Sequence, residues 1–288
     1  MLLWNGKLVN EEDVQVSYRD RGYYFGDGIY EVFRIYEGHL FEKEAHLDRL
    51  YNSLAEIKIR IPWSREELSA QMDQLTETFG AQDGMLYLQL TRGEAKRAHA
   101  FPASSQAVML GYCEPLARPV DAIENGIATI TCEDVRWLRC NIKSLNLLPN
   151  TLAKQEAAEA GATEAILIRA DNTVTEGSSS NLLIVKDGTI YTHPDGPLIL
   201  SGITKKVIER IAVDLEIPYV ERRFTREELM AADEAMITST TMEAAPIITI
   251  DGQPVGTGIP GPITRRLQEA YLKQVHALIA GTTPASRT

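Results

Sequence analysis

Leu47, Leu50, Leu54 and Ile57 recur at spacings of three and four in the stretch KEAHLDRLYNSLAEI, which predicts an amphipathic helix. The stretch SREELSAQMDQLTETF predicts a second helix, opened by Ser64 and Glu67 in capping-box register. Around this pair, LWNGKLV, GYYFGDGIYEVFRIYEGHLF, GMLYLQLTRG and QAVMLGY read as strands punctuated by turns. CEPLARPVDAIENG then breaks the periodicity with two prolines and reads as a linker. Beyond it, IATITCED, EAILIRA, NLLIVKDGTIYTH, EAMITST and PIITIDG are extended in pattern, with hairpin turns expected at KDG and IDG. TLAKQEAAEAGA, ITKKVIERIAVDLEI and PITRRLQEAYLKQVHALI are helical in pattern, and the tail GTTPASRT is expected to fray. Strands and helices mix without the regular alternation of a barrel or a doubly wound sheet, so the fold class is α+β (mixed α/β). Two lobes are expected: a small α/β domain over 1–118 and a larger domain over 119–288 that carries Lys143.

Composition narrows the function classes. The chain has 44% hydrophobic and 24% charged residues, as soluble globular proteins do. A net charge of −11 argues against a nucleic-acid surface and leaves anionic ligands only a locally basic pocket. No apolar run approaches the roughly 18 residues of a membrane span, and MLLWNGKLVNEED lacks the apolar core of a signal peptide. Three cysteines without a CxxC pair fit a reducing, cytoplasmic setting. Five histidines without an HxxxH or HExxH pair suggest no metal site.

Candidate chemistry gathers in a few stretches. In RCNIKSLNLL, Lys143 stands between Ile142 and the leucines 145, 147 and 148. A lysine desolvated by such neighbours loses its proton more easily, and its neutral amine can condense with an aldehyde. Taken alone, a half-exposed strand with its lysine on the wet face is the plainer reading. Glu176 precedes the small-residue run Gly177 to Ser180, which by itself reads as a turn. A helix expected to open at Ile203 and Thr204 would offer free N–H groups to a phosphate, although most helix starts are capped by water or side chains. Ser239, Thr240 and Thr241 end a strand, where hydroxyls can cradle an anion or close a turn. Arg92, Lys96, Arg97 and His99 cluster in an acidic chain, as a solvated loop or as a carboxylate-binding one.

Taken in order, FGDGIYEVFR, HLDRL, TRG with RAH, RWLRCNIKSLNLL, TEGSSSN, GIT and TSTT resemble the motifs of the fold-type IV pyridoxal-phosphate enzymes, over residues 3 to 275 or so. That family includes branched-chain aminotransferases, aminodeoxychorismate lyases and D-amino-acid aminotransferases. The resemblance implies a two-lobed fold and pyridoxal 5'-phosphate as cofactor. It implies that Lys143 forms the Schiff base and later carries a proton between substrate and cofactor. Glu176 would pair with the pyridine nitrogen and keep the ring an electron sink. Arg49, the helix start at Ile203 and Thr204, and Thr240 would hold the phosphate. Leu200 would pack on the ring, flanked by Ser179, Ser180 and Asn181.

Within the family, an Arg-x-His pair with a tyrosine marks the D-amino-acid aminotransferases, and here these would be Arg97, His99 and Tyr30. The resemblance then implies a ping-pong transfer from a D-amino acid, D-alanine first, to a 2-oxo acid such as 2-oxoglutarate. It also implies a homodimer whose loop with Arg97 and His99 reaches the neighbouring active site. Glu31 and Val32 would shape the pocket, and His46 matches a family histidine of open role. An L-branched-chain or (R)-amine transaminase and an aminodeoxychorismate-type lyase remain alternatives, as does a protein that binds the cofactor without turnover.

Overall fold

A computed structural model of the chain describes residues 1–80 and 82–282, so most of the tail expected to fray lies outside the described residues. The chain forms two compact units, Met1–Ala117 with Ile142–Leu147, and Arg118–Asn141 with Leu148 onward.

The first unit is built on a six-stranded antiparallel sheet. Its strands are β1 (Leu2–Trp4), β2 (Lys7–Val9), β3 (Gly28–Tyr36), β4 (His39–Leu40), β5 (Gly84–Thr91) and β6 (Val108–Pro115), in the order β2-β1-β6-β5-β3-β4. Alternation along β3 and β5 sends Ile29, Phe33, Ile35, Leu86, Leu88 and Leu90 into one core, all fully buried. The helices α2 (Lys43–Glu56) and α3 (Arg65–Phe79) close that core with Leu47, Leu50, Leu54, Leu68, Met72 and Leu75. Each such side chain contributes about 1.5–3 kcal/mol by leaving water. At the start of α3, Ser64 and Glu67 form the expected capping box.

One short stretch departs from its pattern. Residues 22–25, expected to be extended, lie in the helix α1 (Arg21–Phe25). Asp20 caps it by accepting from the Gly22 N–H at 2.7 Å, and Gly26 ends it in the left-handed region at φ 61°.

The second unit carries a nine-stranded mixed sheet. Its strands are β7 (Ile127–Glu133), β8 (Glu164–Ile168), β9 (Val174–Gly177), β10 (Asn181–Lys186), β11 (Thr189–Thr192), β12 (Tyr219–Glu221), β13 (Glu234–Ser239), β14 (Glu243–Ile250) and β15 (Gln253–Pro254). They run β12-β11-β10-β13-β14-β7-β8-β9, with β15 paired to β14. The helices are α4 (Val120–Asn125), α5 (Leu148–Glu159), α6 (Ile203–Asp214), α7 (Arg226–Met230) and α8 (Pro262–Ile279). The stretch read as a linker is therefore structured at both ends, by β6 and by α4. The turns at Asp187-Gly188 and Asp251-Gly252 have positive φ at both residues, as two-residue hairpins require.

Lys143 does not sit where the linear reading put it. The segment Ile142–Leu147 belongs to the first unit, not to the C-terminal one. Along β3, β4 covers only Ile35 and Tyr36 on the side away from β5. The start of that edge is filled by the returning segment. Tyr30 N–H donates to Lys143 O at 3.0 Å, Leu145 N–H donates to Gly28 O at 3.0 Å, and Ser144 bridges Ile29. Ile142 is buried in the first core. Unpaired edge amides and one apolar anchor thus decide the placement.

Candidate active site

In the first unit the pairing with β3 sets Lys143 beside Tyr30, with its Nζ 4.2 Å from the centre of the tyrosine ring. The lysine is half-buried, and its backbone N–H reaches Ser53 Oγ on α2 at 3.3 Å. Tyr30 is itself stacked on Tyr87 at 5.8 Å, so the face under the amine is a built aromatic surface.

The next residue, Glu31, points to the opposite face of β3, in register with the core, and is fully buried. A carboxylate there needs partners. His46 and Arg49 supply them from α2, three residues apart and so on one helix face. Arg49 donates Nε–H to Oε1 at 2.7 Å and Nη2–H to Oε2 at 2.8 Å, while His46 Nδ1 stands 2.9 Å from Oε2. Burial would raise the Glu31 pKa, but Arg49 and His46 outweigh it and hold the carboxyl well below the usual range. His46 is pushed down by burial, against the pull of Glu31, with Arg49 and Lys143 adding to the depression. Glu31 therefore fixes the guanidinium plane of Arg49, and burial favours the neutral form of His46.

Arg97 and His99 lie elsewhere in this unit, exposed on the irregular stretch after β5. Their side chains gather on α1: Arg97 Cζ is 5.2 Å from the Phe25 ring centre and 5.9 Å from that of Tyr24, and the His99 ring meets Phe25 edge-on at 5.7 Å. Arg92 does not belong to this cluster. It is buried, and its fork grips Asp27 at 2.8 and 2.9 Å.

In the second unit, Glu176 is the penultimate residue of β9 and a buried carboxylate. Arg136 donates Nη1–H to its Oε1 at 2.5 Å, Asn181 donates Nδ2–H to Oε2 at 2.9 Å, and the Leu200 N–H lies 3.2 and 3.1 Å from the two oxygens. Burial still dominates and pushes Glu176 up to about 7, against Arg136 and the Leu200 amide. Arg136 is not free to offer more, since Asp134 takes its Nε–H and Nη2–H at 2.9 Å each. Glu176 is thus a buried carboxyl whose pairing with Arg136 does not offset its desolvation.

The serines that follow turn inward. Ser179 and Ser180 donate their hydroxyls to Glu164 Oε2 at 3.0 Å each, and Ser178 donates its hydroxyl to Oε1. The N–H groups of Ser178 and Ser179 point to the same carboxylate at 3.2 and 3.3 Å. Glu164, almost wholly buried on β8, is the post around which the loop is wound.

Asn181 links this loop to α6. Its Nδ2 also donates to Leu200 O at 2.8 Å, and a Cβ at Gly202 would stand 1.8 Å from its Oδ1. Only glycine allows that approach. Gly202 offers no side-chain cap, so the N–H groups at Ile203 and Thr204 are not taken by one. Thr240 is half-buried at the turn between β13 and β14, where Ser239 Oγ accepts from the Met242 N–H at 3.1 Å.

The folded chain therefore assembles Lys143, Tyr30 and Arg49 within one unit. Glu176, Asn181 and Leu200 form a hydrogen-bonded set within the other. Sequence reasoning missed Arg136 and Asp134 behind Glu176, Glu164 behind the serines, and the ion pairing of Glu31. The available signal was the charge itself: an acidic residue in an otherwise apolar strand, such as Glu31 in GIYEVF or Glu164 in EAIL, calls for a partner. Among the described residues, no cluster of histidine, cysteine and carboxylate side chains could hold a metal ion, and no helix is long and apolar enough to cross a membrane.

Residues 28–250 match the family Amino-transferase class IV, and the chain belongs to that family. It is 47% identical to a D-alanine aminotransferase of Bacillus licheniformis over 98% of this chain and 99% of the relative. Identity is also 47% to one of Staphylococcus haemolyticus, over 95% and 97%. Among solved structures, the Escherichia coli branched-chain amino acid aminotransferase superposes with a TM-score of 0.90 at 27% identity, covering 99% of this chain and 96% of that one. The branched-chain aminotransferase of Thermoproteus uzoniensis, solved with norvaline, gives 0.86 at 30% identity, covering 95% and 94%. The chain is an aminotransferase of fold type IV.

Proposed function

We propose that this chain transfers the amino group of a D-amino acid, D-alanine first, to a 2-oxo acid such as 2-oxoglutarate, with pyridoxal phosphate as cofactor and as a homodimer. The observation that carries the substrate reading is the 47% identity to D-alanine aminotransferases over nearly the full length, against 27% and 30% for the two branched-chain structures. The Arg97-x-His99 loop, clear of the core and supported on aromatic rings, agrees with it.

The residues suit that cofactor. Burial holds Glu176 up to about 7 even with Arg136 beside it, so a protonated pyridine nitrogen would be a second positive partner, and the start of α6 at Ile203 and Thr204 carries backbone donors without a side-chain cap. Thr240 and Arg49, the latter oriented by Glu31, would complete the phosphate contacts. When bound, the ring supplies an electron sink for the charge left at the substrate Cα. Lys143 Nζ would hold the cofactor and, as a free amine, would move the proton at the substrate Cα. Arg136, Asn181 and the Leu200 amide keep Glu176 in place throughout. Leu200 would pack against the ring, with the loop of Ser179 and Ser180 flanking it. Tyr30, Arg97 and His99 hold the substrate carboxylate, the last two serving the partner's site.

The close structural match to branched-chain enzymes makes L-branched-chain transamination the second reading. Incubation with D-alanine, L-alanine or L-leucine and 2-oxoglutarate separates the two. D-alanine should be consumed with pyruvate formed while both L-amino acids stay inert. Turnover of L-leucine with D-alanine untouched would replace the first reading by the second.

A further inference from the structure

The stretch that bears Arg97 and His99 runs from Ala95 to Ala107 without helix or strand, yet its backbone is gripped from beneath by one buried side chain. Arg21, on α1, is 3% exposed. Its Nη1 donates to Ala98 O at 2.6 Å and lies 3.4 Å from Ala100 O, and its Nη2 is 3.3 Å from His99 O. Its Nε–H is held by Asp27 Oδ2 at 2.7 Å. One planar fork thus meets successive carbonyls across the residues that separate and follow Arg97 and His99.

Asp27 is shared. Arg92 grips the same carboxylate and also donates to Ile57 O at 2.7 Å, which ties the pair to the end of α2. The Arg92 guanidinium in turn lies 3.6 Å from the centre of the Phe101 ring, although that ring is half exposed. The loop is therefore held at its carbonyls by Arg21 and at its far end by Phe101 on Arg92. Phe25, from the same short helix as Arg21, supports both recognition side chains.

We infer that Arg21 is a positioning residue for substrate recognition: anchored on Asp27, it presets the loop so that Arg97 and His99 stand ready for the substrate carboxylate. This rests on the proposed role of Arg97 and His99 given above. An irregular stretch of this length left to itself would have to be ordered at each binding event, and affinity would drop by the fraction of time it is correctly shaped. A lysine cannot replace the fork, because a single ammonium cannot serve Asp27 and several carbonyls in one plane.

The test uses holoenzyme variants and two amino donors, D-alanine and a primary amine that lacks a carboxylate. Arg21→Lys should raise KM for D-alanine about tenfold, as for a loop correctly formed a tenth of the time. Its kcat and its half-reaction with the amine should stay near those of the parent. Phe101→Ala, which opens the other tether at an exposed position, should act in the same direction if Arg21→Lys accumulates too little folded protein. In an Arg97→Ala, His99→Ala background, Arg21→Lys should add no further loss.

A D-alanine KM unchanged by both variants, while Arg97→Ala raises it, overturns the positioning role and leaves the carboxylate reading intact. Equal losses on D-alanine and on the amine overturn it too, by making Arg21 a general support of the fold. No effect of Arg97→Ala on D-alanine overturns the carboxylate reading itself.

Discussion

Glu176 ties stability to pH in a direction opposite to most carboxylates. Its ordinary pKa is 4.5, and in the folded chain without cofactor burial pushes it up to about 7. Between these values the folded protein holds a proton that the unfolded chain has released. Stability contributed by the protonated form is thus complete below 4.5 and is lost as pH rises through about 7. At about 1.4 kcal/mol for each tenfold change in proton affinity, the displacement is worth about 3 kcal/mol. Glu176→Gln removes the titration and keeps an oxygen for the Leu200 amide. Other groups titrate alike in both proteins, so the difference between them isolates this one. Urea unfolding of cofactor-stripped protein at about pH 5 and about pH 8 is the assay, since these bracket the shifted titration. The parent should lose about 2–3 kcal/mol more than Glu176→Gln over that range, and saturating pyridoxal phosphate should shrink the gap by adding a second positive partner. Identical pH slopes in the two stripped proteins would refute the argument that burial outweighs Arg136.

Lys143→Ala should lower turnover with D-alanine about a thousandfold or more, since one amine is both anchor and proton carrier. Near-normal turnover, with a lysine linkage still reducible by borohydride, would remove it from the chemistry. Gly202→Ala places a Cβ 1.8 Å from Asn181 Oδ1, so the α6 start or Asn181 must shift at a cost of about 1–3 kcal/mol. Cofactor retention in equilibrium dialysis should fall, and unchanged retention would separate α6 from cofactor binding. Glu164→Gln puts an NH2 where serine donors converge, leaving buried donors unsatisfied at about 1–3 kcal/mol. Calorimetry should show a lower unfolding midpoint, and an unshifted one would mean that the serine loop stands without Glu164.

Much of the fold is written locally. The spacing of Leu47, Leu50 and Leu54 makes α2, the Ser64 and Glu67 pair opens α3, and the Asp-Gly turns close their hairpins, because each depends on neighbours within a few residues. Lys143, Glu176 and Arg97 were legible as candidates for a related reason: their motifs are contiguous. Their partners were not. Glu31 finds Arg49 across a strand and a helix, Glu176 finds Arg136 forty residues back, and Arg21 finds the carbonyls near His99 nearly eighty residues on. Short-range pattern cannot express such pairings, since a buried charge specifies only that some opposite charge must come to it. The same holds for the unit that claims Lys143, which is decided by an open stretch of edge on β3 and a pocket for Ile142. The sequence by itself determined which side chains could do chemistry. Tertiary structure alone decided which carboxylates are charged, which arginines are occupied, and how the Arg97 and His99 loop is held, because desolvation and charge pairing exist only once distant segments meet.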